Sequence, residues 1–261
     1  MMPRSIAGIN KLPRPERREL YQRFIPPELL ERFAITSELS DSNGRVLGEF
    51  KFETGSTDVV IKLRHEPDAP DPILYAHLTD TMNGQLHILL YIVNNPDSER
   101  FDVDRMPDGR ATNFGLDLRN IPAEIRAMQA GLSPGQIHKG LRMMKYVVRS
   151  LEQFVTQLGQ SMFFIEPLYY HNAIVFERYG FLYSQGRRSM EALHTAFLPS
   201  GQFLAALDGS TPFRDPLFAN SIRGRSWALH DGIAGQPFSG VTMYKRVGKS
   251  GTIDTFPGGA W

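Results

Sequence analysis

The spacing of apolar residues changes character several times along the chain. Over the first forty residues, short apolar groups sit between charged ones. Pro13 and Pro15 lead into a charged helix over 16–24, and Pro26-Pro27 opens a second over 28–33, both expected on the surface of a main body. From residue 46 the period shortens to two. Segments 46–54, 59–64, 73–79 and 85–93 predict strands, and Asn83-Gly84 is a hairpin signal between the last two. Phe101, Asp102, Val103 and Asp104 alternate apolar and acidic, a pattern for one further short strand, and 107–113 reads as loop.

The period then lengthens. Asn120 caps a short helix begun by Pro122 and stopped by Gly131. Ser133 opens the strongest pattern in the chain. Ile137, Leu141, Met144, Val148, Leu151, Val155 and Leu158 recur at alternating spacings of four and three, predicting a helix of about 25 residues ended by Gly159. Met162, Phe163, Phe164 and Ile165 follow, apolar on both faces as in a central parallel strand. A short helix over 171–179, Gly180 and a strand over 181–184 come next. Helices near 190–197 and 202–207, a polar loop, a last strand over 241–247 and an irregular tail over 248–261 complete the reading. Strands, long helix, buried strand, short helix and strand in that order define an α/β architecture with helices laid over a mixed sheet.

Composition narrows the chemistry. A chain of 261 residues, 41% hydrophobic, hides roughly 70–75% of its unfolded surface on folding. Its net charge of +1 supplies no bulk field for nucleic acid, and none is expected as a partner. No apolar run is long enough for a membrane span and no apolar signal core follows the basic N-terminus, so the expected place is the cytoplasm. With no cysteine there is no disulfide, thiolate metal site or thiol nucleophile. An acyl group carried by a thioester would pass to its acceptor directly or through a residue other than cysteine. His65, His77 and His87 lie on predicted strands without a carboxylate at ligand spacing and read as solvent-facing, so no metal is expected. The segments 213–218 and 222–227 are basic and aromatic, the pattern of helix packing with surface arginines.

Two segments carry candidate chemistry. Ser133, Pro134 and Gln136 form a capping-box start, and free N–H groups at a helix start attract anions, with Lys139 and Arg142 adding charge. His171-Asn172-Ala173-Ile174-Val175-Phe176-Glu177-Arg178-Tyr179-Gly180-Phe181 resembles the Asn-x-x-Ala-x-x-x-Tyr-Glu-x-x-Gly-Phe segment of the GNAT superfamily of N-acetyltransferases. The resemblance covers 133–185 closely and 44–105 loosely. It implies a GNAT-like mixed sheet flanked by helices, with an N-terminal helical extension over 1–40, an acyltransferase domain over 41–247 carrying insertions at about 106–132 and 186–240, and a tail over 248–261.

In that family, backbone amides at the start of the long helix hold the coenzyme A pyrophosphate. The resemblance therefore implies acetyl-CoA or acyl-CoA as co-substrate, bound by Gln136, Ile137, His138, Lys139, Gly140 and Arg142, with Asn172 and Phe176 beside it. Three departures accompany it. Gln136 and His138 stand where glycines are usual, Phe176 stands where many members have the tyrosine that protonates the leaving thiolate, and residues 106–132 are extra. Tyr169 or Tyr170 is expected to supply the missing acid, with Tyr169, Asn172 and Phe176 on one helical face, and Glu166 a general base. The implied activity is acyl transfer to a small-molecule amine, with an acyl carrier protein as an alternative donor and pairing of two copies left open. The alternative is a catalytically inactive GNAT-like protein that binds or senses a small ligand in the acyl cleft.

Overall fold

The computed structural model describes residues 3–261. Among them, the helices are α1 (Ile6–Asn10), α2 (Arg14–Gln22), α3 (Pro27–Arg32), α4 (Ile121–Gln129), α5 (Met144–Gln157), α6 (Tyr170–Arg178), α7 (Arg187–Ala196), α8 (Gln202–Ala206) and α9 (Ile222–His230). The strands are β1 (Gly48–Lys51), β2 (Asp58–Leu63), β3 (Leu74–Asp80), β4 (Leu86–Val93), β5 (Met162–Ile165), β6 (Leu182–Gln185) and β7 (Thr242–Arg246). The fold is α/β, with an open sheet in the order β1-β2-β3-β4-β5-β7-β6. Pairing is antiparallel from β1 through β4, and β5 runs parallel to β4. No helix among the described residues is long and apolar enough to cross a membrane.

The chain forms two compact units. The first is Met1–Asp97, Gly140–Glu166 and Tyr244–Ser250, and the second is Ser98–Lys139, Pro167–Met243 and Gly251–Trp261. In the first unit, alternate residues of β2 (Val59, Ile61, Leu63) and β3 (Leu74, Ala76, Leu78) are buried, the one-sided pattern of a sheet covered on one face. The N-terminal helices do more than lie on that surface. Tyr21 and Phe24 of and after α2 are fully buried, Phe24 meeting Phe154 of α5 edge-on at 5.6 Å and Tyr21 stacking on Phe50 at 5.8 Å. Each such ring contributes about 1.5–3 kcal/mol of burial. The Tyr21 hydroxyl donates to Asn10 Oδ1 at 2.7 Å, and Asn10 donates to Ser56 O and Asp58 O. Helix α1 has no counterpart in the hydrophobic pattern. Asp80 makes it, by accepting the N–H groups of Ile6 and Ala7 at 2.7 and 2.8 Å.

The second unit is mostly helical. Its insertion packs Phe101, Val103, Ala123, Ala127, Leu132 and Ile137 into one cluster. Residues 101–104 form no strand there, although Phe101 N–H does donate to Ile137 O at 2.9 Å. The expected polar loop before β7 contains α9, whose residues from Gly224 to Leu229 are all buried. Trp227 stacks on Phe213 at 5.1 Å and donates its indole N–H to Leu132 O. Arg225 is not a surface arginine. It is 1% exposed, bonded to Ala219 O and laid over the Phe256 ring at 3.6 Å.

The largest correction concerns the long helix. It is 14 residues, begins at Met144 and has Met143 at its N-cap. Residues 133–143 are irregular because Gly135 and Arg142 take positive φ values of 76° and 58°. Half of the expected capping box exists without a helix, since Gln136 Oε1 accepts the Ser133 N–H at 2.7 Å.

Candidate functional site

In the first unit the notable place is where β4 and β5 part. They pair for two residues only, His87 opposite Phe164 and Ile88 opposite Ile165, and Glu166 N–H closes the pairing on Ile88 O at 3.2 Å. At the next position β4 bulges. Leu78 of β3 pairs with Ile88 and His77 with Leu90, so Leu89 is the extra residue. A bulge bends the strand that carries it. From residue 89 to 93, no strand pairs with β4 on the side of β5 among the described residues. The chain leaves at Asn94 and returns at Gly140, and these two form an isolated antiparallel bridge. The start of α5 is thereby tied to the end of β4.

That start suits an anion. Tyr146 and Val147 both donate to Met143 O, at 2.9 and 3.0 Å, and the N–H groups of Met144 and Lys145 have no partner among the described residues. A side chain built on Gly140 would meet nothing nearer than Val93 O at 3.7 Å, so the backbone there is open to close approach. Arg142 and Lys145 are exposed. At the end of β5, Glu166 lies 3.3 Å from His87 Nε2, its side chain 45% exposed. Burial lowers the His87 pKa against the opposing pull of Glu166. Burial thus favours the neutral form of this imidazole.

The remaining sequence candidates belong to the second unit. Ile137 is buried in the insertion's cluster, and His138 Nδ1 lies 3.1 Å from Ser98 O. Lys139 N–H donates to Ser98 Oγ at 3.1 Å. The assignment of Gln136, Ile137 and His138 to a helix start is therefore corrected: the turn that precedes the helix is 140–143. Tyr169 is extended, at φ −135° and ψ 158°, outside α6, so it does not share a helical face with Asn172 and Phe176. Its hydroxyl donates to Phe114 O, and its ring packs on Gly135. Burial raises its pKa. The Tyr170 hydroxyl is buried against Arg225, and burial pushes its pKa up to about 12. Asn172 Oδ1 accepts the Tyr169 N–H at 3.2 Å, and Phe176 packs on Phe181 with ring centroids 5.3 Å apart.

Tyr169 and Tyr170 also line a cavity of about 270 Å³ in this unit, with Asp117, Arg119, Ser226 and His230 among its walls. Behind the wall, His230 Nε2 is 3.0 Å from Glu124 Oε1, while Arg119 grips Glu124 Oε2 through Nε and Nη2 at 2.9 and 2.6 Å. Arg119 Nη1 reaches Asp231, which also takes Arg214 and Thr211. Burial pushes the Glu124 carboxyl up, but the His230 and Arg119 hydrogen bonds outweigh it and hold the pKa below its ordinary value. His171, fully enclosed, has its pKa lowered to about 3 by burial, with Arg223 and His230 adding to the effect. The sequence reading passed over Glu124 and His230. They are 106 residues apart, and no local spacing links them. No group of three or more His, Asp or Glu residues suited to a metal ion occurs among the described residues.

Comparison of the chain with protein-family models, with curated proteins and with solved structures finds no match.

Proposed function

We propose that the first unit binds an acyl-CoA thioester and that the protein transfers the acyl group to a small-molecule amine, as a divergent GNAT-like enzyme. The observation that supports this most is the parting of β4 and β5 directly after Ile88, at the Leu89 bulge, beside the start of α5. An unpaired strand edge accepts an extended ligand rich in amides by main-chain hydrogen bonding. A helix start with free N–H groups, Gly140, Arg142 and Lys145 suits a pyrophosphate. With the turn at 140–143, Arg142 takes the left-handed conformation that a glycine would adopt freely.

In the reaction, the amine nitrogen attacks the thioester carbonyl, the C–S bond breaks, and the amine's proton and the thiolate's proton must both be handled. Glu166, half-exposed at the end of β5, takes the proton from the amine directly or through one water. The thiolate is a tolerable leaving group without an acid, because a free thiol has a pKa of about 8.5. That matters here, since Phe176 has no proton to give and Tyr169 has committed its own to Phe114 O. The same two facts favour the second reading, ligand binding without transfer.

Titration calorimetry with coenzyme A and acetyl-CoA, followed by thiol release with an amine panel, separates the readings. Binding that weakens in Lys145→Glu, with amine-dependent thiol release lost in Glu166→Gln, supports transfer. Binding without release under any amine supports the sensor. Absence of binding to either compound overturns transfer from coenzyme A and favours the binding of another small ligand.

A further inference from the structure

The cavity of the second unit has polar walls whose hydrogen-bonding roles follow from their partners. Tyr169 N–H donates to Asn172 Oδ1, which turns the Asn172 amide nitrogen toward His171 Nε2 at 3.1 Å. An amide N–H needs a lone pair there, so the His171 hydrogen sits on Nδ1 and points at Ser226 Oγ, 2.9 Å away. Ser226 accepts that bond, and its own hydroxyl hydrogen has no protein acceptor among the described residues. It is available to the cavity that Ser226 lines. His230 Nε2 is taken by Glu124, and its Nδ1 has no protein partner among the described residues. Of the charged side chains on the wall, Arg119 donates from each of its three nitrogens to Glu124 or Asp231, whereas the Asp117 carboxylate has no ion pair among the described residues. The body of the cavity is apolar and aromatic, between Leu116, Leu229 and Phe238.

We propose that this cavity binds a small primary amine that carries a hydrogen-bond-accepting oxygen and an apolar or aromatic body, of the amino-alcohol type. The ammonium group faces Asp117. The oxygen accepts the Ser226 hydroxyl hydrogen. At about 270 Å³ the space is below the range of about 300–1,000 Å³ of drug-sized pockets, so the ligand is small. The inference concerns binding within the second unit and does not rest on acyl transfer.

The test is calorimetry on the full chain without any coenzyme A. The probe is 2-amino-1-phenylethanol, with 1-phenylethanol and mandelate as neutral and anionic controls. The expected result is saturable binding of the amine, weaker binding of the alcohol and none of mandelate. Asp117→Asn, at an exposed position, is expected to weaken the amine about fivefold, the weight of one solvent-screened ion pair, and to leave the alcohol unchanged. Ser226→Ala should weaken both the amine and the neutral alcohol. The His230 ring resonances should shift on titration with the amine. No saturable binding of any probe, binding of mandelate as tight as that of the amine, or an unchanged amine affinity in Asp117→Asn would overturn the proposal. Coenzyme A binding to the first unit is read separately, so failure of one leaves the other standing.

Discussion

His230 Nε2 stands 3.0 Å from Glu124 Oε1, and the two side chains are 6% and 1% exposed. The carboxylate between this imidazole and the Arg119 guanidinium has every oxygen engaged. Removing it leaves the buried His230 Nε2 without its acceptor and Arg119 with Asp231 alone, which is costlier than losing a surface contact. Glu124→Ala is expected to destabilise the protein by about 3–5 kcal/mol. Glu124→Gln, which keeps one acceptor, should lose less. Urea unfolding of both variants checks the order.

The pH dependence of stability should show His171. Its folded pKa, lowered from 6.5 to about 3, means that the unfolded chain binds the proton more readily. Stability from this group is complete above pH 6.5 and is lost as pH falls toward 3. The slope approaches about 1.4 kcal/mol per pH unit. Glu124, held below its ordinary pKa, adds a further loss below the usual carboxylate range. Glu177 and Asp80, raised by burial, work in the opposite direction as they protonate. Thermal melts from pH 7 downward should fall more steeply for the native protein than for His171→Asn. Equal slopes would contradict the assignment.

Gly224 lies inside α9, where alanine would normally gain about 1 kcal/mol of helix propensity. A Cβ there would strike Phe218 and come within 2.6 Å of Ser221 Oγ, the N-cap of that helix. Gly224→Ala should therefore destabilise, by about 1–2 kcal/mol net of propensity. Gly140→Ala, with only Val93 O within 4 Å and no positive φ, should fold unchanged. The contrast in melting temperature is the measurement.

Arg142 is a non-glycine residue at φ 58°. Left-handed backbone costs an L-residue about 1–2 kcal/mol, less the entropy that glycine forfeits. Arg142→Gly is expected to stabilise by about 0.5 kcal/mol. If the turn binds phosphate through its backbone, coenzyme A affinity should fall only by the lost side-chain charge. A destabilised variant would show that the Arg142 side chain makes contacts that outweigh the strain.

Local periodicity made much of the fold legible. The four meander strands, β5, α4 with its Asn120 cap, α6 and β7 lie where alternation, capping residues and glycine stops place them. These signals work because each records which side of a short element is buried. The same signal misled over 133–143. Ile137 and Leu141 are both buried, 7% exposed each, at helical spacing from Met144. Ile137, however, is buried in the cluster of the insertion, and its carbonyl takes the Phe101 N–H. The spacing was right about burial and silent about which core. Over 222–227 the reading of helix packing with surface arginines missed the burial of Arg225, whose guanidinium is satisfied by Ala219 O, His194 and the Phe256 ring rather than by water.

By itself, then, the sequence determined an α/β chain without thiol chemistry, its first four strands with a hairpin between β3 and β4, and the segment from β5 to β6, because those depend on neighbours within a few residues. Tertiary structure alone decided where α5 begins, since the Asn94–Gly140 bridge and the positive φ of Arg142 set it. It decided that β4 parts from β5 at Leu89, a register fact between strands. It also decided that Glu124 meets His230 and that Ser226 meets His171, pairs separated by 106 and 55 residues. Long-range pairing is chosen by which burials can be satisfied together, and no local spacing records that choice.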